Sequence, residues 1–301
     1  MPRKNIFIGT RGSKLAIVQA ELVASMLRSC GESCEIKTIK TTGDVTDRPL
    51  LELGGKGLFV KEIEEALLRG EIDLAVHSMK DVPADIPNGL FLAAFPKRED
   101  PRDVFLSKKF QRLDDLPQGA RIGTSSPRRL SQLKDWREDL SILPIRGNVD
   151  TRIAKLEKGE FDAIILAAAG LIRLGRANEI REYLTIETMI PSVGQGVLAL
   201  ETRADDDELK EKLHRICHHE ETALAVKAER TFLKTIGGDC YTPLAAYAEL
   251  KNERITMTAY LGSLNGGRGY VDHFEASLNE AEELGKSLAD RLLQRRNGGT
   301  K

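Results

Sequence analysis

Gly70-Glu71-Ile72-Asp73 ends a helix-period segment and leads into the apolar stretch Leu74 to His77. The same order returns as Gly159-Glu160-Phe161-Asp162 ahead of Ala163 to Ala167. A glycine stops a helix, an acidic and polar step crosses to the next element, and a short apolar run enters a buried strand. Two copies of that turn predict two similar lobes. Outward from the first copy, Ile6 to Gly9 reads as a strand, Leu15 to Arg28 as a helix, Ser33 to Thr41 as a strand and Phe59 to Arg69 as a helix. Around the second, Arg121 to Gly123, Ser141 to Ile145 and Ala163 to Ala167 read as strands, separated by helices at Pro127 to Lys134 and Val149 to Lys158. Apolar runs alternating with helix-period segments are the pattern of βαβ units, so the fold class is α/β with mostly parallel sheets.

The apolar run Val197 to Leu200, entered through Pro191-Ser192-Val193-Gly194-Gln195-Gly196, reads as a crossover back to the first lobe. From about His218 the pattern changes to one long helix ending near Thr235. Three β-type runs follow, at Leu244 to Glu249, Ile255 to Tyr260 and Gly269 to Phe274, and then a closing helix with a frayed tail from Arg295 to Lys301. That is a small C-terminal α+β domain. The domain boundaries predicted are 1–97 with 197–215, 98–196, and 216–301. A chain of 301 residues is too long for one core and fits this division.

A net charge of −1 argues against a general nucleic-acid binder, which needs a basic excess to neutralise phosphates. Any anion site is therefore local. No signal-peptide core or membrane-length apolar run is legible, so a cytoplasmic protein is expected; a monomer is a separate expectation. Cys30, Cys34, Cys217 and Cys240 show no C-x-x-C spacing, and each thiol is judged alone.

The placement of arginines carries the functional reading. In Gly123-Thr124-Ser125-Ser126-Pro127-Arg128-Arg129, Ser126 suits an N-cap and Pro127 the first helical position, which puts two arginines in the first turn. A helix start already bears partial positive charge, so two guanidinium groups there call for an anion, or for pairing with Asp135 or Glu138. Related junctions recur at Thr10-Arg11-Gly12-Ser13 and at Arg146-Gly147-Asn148-Val149-Asp150-Thr151-Arg152. Strand ends of open α/β sheets share a crevice, and arginine forks match carboxylates, so the expected ligand is multiply anionic. Lys80 and Asp81 leave a further strand end in Val76-His77-Ser78-Met79-Lys80-Asp81-Val82-Pro83. An aspartate among cations stays ionised and can hold a cationic or N–H-bearing group, which makes Asp81 the candidate for chemistry. Gly54-Gly55-Lys56-Gly57-Leu58-Phe59 lacks the spacing of a phosphate loop and is read as a lid carrying Lys56 and Phe59. His214 and His218 share a helical spacing with Cys217 and His219 nearby, but no carboxylate completes an obvious set, so no metal is expected.

Taken together these motifs resemble the hydroxymethylbilane synthase (porphobilinogen deaminase) family. The residues that carry the resemblance are Thr10-Arg11-x-Ser13-x-Leu15-Ala16, Gly54 to Phe59, Val76 to Pro83, Arg98-Glu99-Asp100-Pro101-Arg102-Asp103 and Gly123 to Arg129. Arg146 to Val149, Asp162 to Ala167, Gly194-Gln195-Gly196 and the Gly-Gly…Cys…Pro segment around Cys240 complete the set. The resemblance implies two periplasmic-binding-protein-like lobes plus the small third domain. It also implies head-to-tail condensation of four porphobilinogen molecules with loss of ammonia, on a dipyrromethane cofactor held by a thioether at Cys240. By the same resemblance Ser13, Lys80, Asp81, Thr124, Ser125, Arg128, Arg129, Arg146, Gly147 and Asn148 bind cofactor. Arg11, Ser13, Arg146, Arg152, Arg173 and Gln195 bind substrate, and Asp81 holds pyrrole N–H groups and the cationic azafulvene. Asp239, Tyr241, Ile172 and Pro127 depart from the family's commonest pattern. Two rival readings are a non-catalytic two-lobed anion receptor and a nucleic-acid module; the near-neutral charge opposes the second.

Overall fold

The computed structural model describes residues 5–42, 57–238, 242–262 and 267–298. In chain order the elements begin with β1 (Ile6–Arg11), α1 (Lys14–Ser29), β2 (Cys34–Ile39), α2 (Lys61–Leu68), β3 (Leu74–Ser78) and β4 (Leu90–Ala94). Next come β5 (Asp103–Leu106), β6 (Arg121–Gly123), α3 (Pro127–Trp136), β7 (Ser141–Leu143), α4 (Val149–Glu157), β8 (Ala163–Ala167), α5 (Ala168–Arg173) and β9 (Glu182–Tyr183). The chain continues with β10 (Leu198–Arg203), α6 (Asp207–Cys217) and α7 (Glu220–Ile236), then β11 (Leu244–Lys251), β12 (Arg254–Leu261), β13 (Tyr270–Ser277) and α8 (Ala281–Gly298). Two compact units result, one from 1–99 with 197–223 and one from 100–196 with 224–301.

The first unit is built on a five-stranded sheet ordered β2-β1-β3-β10-β4. Its neighbours β2, β1 and β3 are parallel, as the alternating pattern predicts. β10 runs antiparallel to both β3 and β4, which corrects the mostly parallel expectation. The near-continuous apolar character of β3 follows from cover on both faces, and Leu74, Ala75 and Val76 are all buried. Helix α1 buries Ala16, Gln19, Ala20, Val23, Ala24 and Leu27, the three-and-four spacing of one helical stripe. Its start is fixed by Ser13, whose hydroxyl accepts from the Ala16 amide at 3.3 Å.

The second unit holds two sheets. The first is ordered β7-β6-β8-β5-β9, with β7, β6 and β8 parallel and β5 antiparallel to its neighbours. It repeats the first unit's plan of three parallel strands joined to antiparallel ones, as the paired turns at Gly70 and Gly159 predict. The second is the antiparallel meander β11-β12-β13. Helices α7 and α8 cover it through Phe232, Leu284, Leu288 and Leu292 against Ala246, Ile255, Met257 and Leu261. The short strands β4, β5 and β9 were not legible in the sequence. Helix α8 runs on through Arg295 and Arg296 to Gly298, so most of the tail expected to fray is helical. The long helix expected from about His218 to Thr235 is α7 (Glu220–Ile236), and a separate helix, α6, precedes it and ends at Cys217, where the His218 backbone is extended.

Candidate active site

In the first unit, three separated segments meet around one pocket lined by Arg11, Ser13, Gln19, Phe59, Ser78, Lys80 and Asp81. Strand β1 delivers Arg11 at its last position, and the Ser13 cap turns the chain at once into α1. The Arg11 guanidinium lies 4.3 Å from the centroid of the Phe59 ring, a cation–π contact that holds the arginine flat against an apolar wall. Strand β3 ends at Ser78 and passes into the single turn Met79–Asp81. Met79 is buried, and its amide donates to the Val197 carbonyl at 3.0 Å. With Met79 anchored inward, Lys80 is exposed and Asp81 half-buried at the mouth of the strand. Ser78 is held by Gln19, whose Nε2 donates to the hydroxyl at 2.9 Å. Phe59, half of the expected lid, thus belongs to the pocket wall; Lys56 lies outside the described residues.

In the second unit the local readings at the helix starts hold. Ser126 caps α3 by accepting from the Arg129 amide, with Pro127 at the first position. Asn148 caps α4 by accepting from the Thr151 amide at 2.9 Å. Gly147 has φ of +103°, and a Cβ there would sit 2.6 Å from the Thr151 Cβ, so this turn requires glycine. Ser125 ties the two junctions together: its hydroxyl donates to the Ile145 carbonyl at 2.8 Å and accepts from the Ile145 amide at 3.0 Å. Thr124 accepts from the Ser126 amide at 3.2 Å. The Arg152 side chain donates to the Gly147 carbonyl at 2.8 Å, and Arg173 to the Gly196 carbonyl at 2.7 Å.

The side chains of Arg128 and Arg129 take a course that the sequence did not predict. They turn inward and converge on Asp103 at the start of β5, with Nη1 of Arg128 at 2.6 Å from Oδ2 and Nη2 of Arg129 at 2.6 Å from Oδ1. All three side chains are buried. The anion demanded by two arginines at a helix start is therefore, in the first instance, a protein carboxylate from a neighbouring strand. Neither expected partner is used: Asp135 accepts instead from the Tyr260 hydroxyl at 2.7 Å and the Gly269 amide at 2.9 Å. Burial alone would raise the Asp103 pKa, but the two guanidinium groups overcome it and hold the carboxyl far below the usual range. Gln195 joins the same cluster, its Nε2 donating to Oδ1 of Asp103 at 3.1 Å and to the Pro101 carbonyl at 2.7 Å. Two guanidinium groups on one carboxylate leave a net positive charge at this junction.

Known relatives match nearly the full length of this chain. Residues 6–211 match the porphobilinogen deaminase dipyromethane cofactor binding domain, and 223–294 match the porphobilinogen deaminase C-terminal domain. The chain belongs to the porphobilinogen deaminase family. It is 52% identical over 290 residues to the porphobilinogen deaminase of Geobacillus kaustophilus, covering 95% of this chain and 93% of that one. To the porphobilinogen deaminase of Syntrophomonas wolfei it is 51% identical over 294 residues, 97% and 96% of the two chains. To that of Syntrophus aciditrophicus it is 50% identical over 289 residues, 95% and 94% of the two. Among solved structures, a putative methionine-binding lipoprotein from Bacillus subtilis aligns over 73% of this chain and 92% of its own, with a TM-score of 0.46 and 15% identity.

Within this porphobilinogen deaminase family chain, several buried polar residues of each unit escaped the sequence reading. Asp103 was quoted only as part of a motif; its one local signal is an acidic residue opening an otherwise apolar strand. Glu229, fully buried on α7, accepts from the Gly194 amide at 2.6 Å and the Ala248 amide at 2.9 Å, and so fixes the Gly-Gln-Gly turn against β11. Beside the first pocket, His77 Nε2 lies 3.0 Å from Oε2 of Glu201, with both side chains buried. Buried Glu64 of α2 is held up to about 7, first by burial and then by repulsion from Glu201. Cys240, with its neighbours Asp239 and Tyr241, lies outside the described residues.

Proposed function

We propose that this chain is a hydroxymethylbilane synthase. It condenses four porphobilinogen molecules head to tail into the linear tetrapyrrole hydroxymethylbilane and releases ammonia at each condensation. The observation that carries the reading is the gathering of Arg11, Ser13, Lys80 and Asp81 around one pocket in a chain of the porphobilinogen deaminase family.

The donor set suits a dipyrromethane cofactor, whose acetate and propionate groups need fixed cations. The first pocket offers Arg11 and Lys80 beside Asp81, and the second unit keeps an excess of guanidinium over carboxylate at Asp103. The dipyrromethane, when bound, supplies the nucleophilic pyrrole carbon to which the first substrate ring is joined. We assign its anchorage to Cys240 and its polar contacts to Ser13, Lys80, Asp81, Thr124, Ser125, Arg128, Arg129, Arg146, Gly147 and Asn148. Substrate carboxylates are assigned to Arg11, Ser13, Arg146, Arg152, Arg173 and Gln195. Arginine suits this task because its planar fork meets a carboxylate at two points.

Asp81 is the group that acts on the reacting ring. Departure of ammonia leaves a cationic methylene-pyrrole, and a carboxylate accepting the pyrrole N–H opposes that charge where it develops. The rigid anchor at Met79 fixes the position of Asp81 in advance, so little reorganisation is needed during reaction. No described helix is long and apolar enough to cross a membrane. A cytoplasmic monomer that takes a small-molecule substrate and no nucleic acid completes the proposal, with light scattering on the purified chain as the check of oligomeric state.

Intact mass spectrometry tests the chemistry directly. Purified protein is expected to exceed its sequence mass by two pyrrole units, and Cys240→Ser to lose that increment together with activity. Fully active protein of unmodified mass would remove the covalent cofactor from the account.

A further inference from the structure

The end of α6 and the start of α7 bring together three side chains to which the tetrapyrrole chemistry gives no role. His214 lies in the last turn of α6, His218 follows it four residues on at the helix's C-cap, and Glu220 opens α7. The two imidazole rings stack, with centroids 4.3 Å apart and planes within 19°. One donor atom from each of the three residues falls within 4.8 Å of the other two. The sequence reading had found the histidine pair without a carboxylate to complete it; the turn between the helices supplies Glu220.

We infer that His214, His218 and Glu220 form a binding site for a divalent transition-metal ion of the zinc type. The spacing admits coordination once one of the two stacked rings turns about its Cβ–Cγ bond and brings its nitrogen lone pair onto the ion. His218 Nε2 and Glu220 Oε2 are 3.4 Å apart, long for a charge-assisted hydrogen bond, which settles at about 2.7–2.9 Å. Two ligands each about 2.1 Å from one zinc ion at the tetrahedral angle are about 3.4 Å apart. With Nε2 as the ligand atom the ring proton sits on the other nitrogen, His218 Nδ1, which is buried with no hydrogen-bond partner among the described residues. Imidazole nitrogens and a carboxylate oxygen are the ligand types that zinc takes, and three protein ligands leave a fourth position for water. His214 and Glu220 are exposed, so the ion can enter from solvent, and the Phe95 ring, 6.2 Å from that of His218, closes the inner side.

The neighbouring candidates are excluded by their own contacts. Cys217 is buried within the apolar core of the first unit. His219 is engaged by Thr222, whose hydroxyl lies 3.0 Å from Nδ1. A bound ion would clip the end of α6 to the first turn of α7 and resist separation of the two helices.

The test uses the full-length holoenzyme, stripped with a chelator and titrated with Zn2+ in competition with a chromophoric indicator, and separately with Co2+ followed by visible absorption. One equivalent is expected to bind, with the intense d–d bands of four- or five-coordinate Co2+. His214→Ala and Glu220→Gln change exposed side chains and are expected to melt like the unaltered protein without metal. Each is expected to weaken Zn2+ binding by more than about tenfold, the lower end of what even outer-shell changes cost a metal site. His273→Ala, on β13, is expected to bind as before. Absence of saturable binding, or unchanged affinity and Co2+ spectrum in both His214→Ala and Glu220→Gln, would overturn the site.

Discussion

Replacing Asp103 by Asn tests whether one buried carboxylate organises the second unit's arginines. The substitution preserves size and shape but withdraws the charge on which Arg128 and Arg129 converge. It also turns an amide NH2 toward groups that only donate. Removing one partner of a buried ion pair costs about 3–5 kcal/mol because the remaining charge stays desolvated and uncompensated, and here two guanidinium groups are left. For a unit of this size that loss lowers Tm by about 6–20 °C. The chain has one tryptophan, Trp136, at the end of α3, the helix that carries both arginines. Its fluorescence during thermal or urea unfolding reports this unit directly. Adding Arg128→Met to Asp103→Asn removes one of the two orphaned charges and is expected to recover part of the loss. The wild-type carboxyl titrates far below its ordinary value. Its contribution is therefore complete above the unfolded-state pKa of about 3.9 and disappears only as pH falls below that toward the depressed folded value. A loss under about 1 kcal/mol for Asp103→Asn, or a double variant less stable than the single one, would refute this account.

Three further outcomes are expected. Glu64 carries a pKa raised to about 7 in the folded first unit, against about 4.3 unfolded, so the native state holds a proton that the unfolded chain releases as pH rises through that window. Wild-type stability should fall by up to about 3 kcal/mol across it, and Glu64→Gln should flatten the dependence in urea titrations followed by circular dichroism; equal slopes in the two proteins would contradict the raised value. Asp81→Ala is expected to abolish turnover with circular dichroism unchanged, and a rate near wild type in an assay of porphobilinogen consumption would remove Asp81 from the mechanism. Gly147→Ala places a Cβ at φ of +103° and 2.6 Å from Thr151. A destabilisation of about 2 kcal/mol in the tryptophan-detected unfolding is the expected result, and a neutral change would show that the turn relaxes freely.

Much of the candidate site was readable because its determinants are local. A cap at Ser13, Ser126 or Asn148 involves a side chain and an amide three residues on, and the apolar runs that became β1, β3, β6 and β8 carry their own boundaries. Strands β4, β5 and β9 were less visible because short edge or reversed segments bring neither a following helix nor a long apolar run. Helix α7 was readable within about two residues of its bounds, whereas α6 showed itself in the sequence only through the i, i+4 spacing of His214 and His218. The thiol at Cys240 was assigned through family motifs, since a glycine-rich loop and a following proline do not by themselves distinguish a reactive cysteine.

The sequence by itself determined which residues stand at the strand-to-helix junctions: Arg11 and Ser13, Lys80 and Asp81, Arg128 and Arg129, Asn148. Tertiary structure alone decided where their side chains go. Asp103 reaches Arg128 and Arg129 because β5 pairs antiparallel with β8, opposing Asp103 to Ala167 at the end of the sheet where α3 begins. Glu201 reaches His77 because β10 lies antiparallel beside β3 in a register that sets Ala199 opposite His77. The physical reason is range. Caps and turns are satisfied within three or four residues of chain, whereas a buried charge takes whatever partner the strand register places against it, and register is fixed only when the whole sheet has closed.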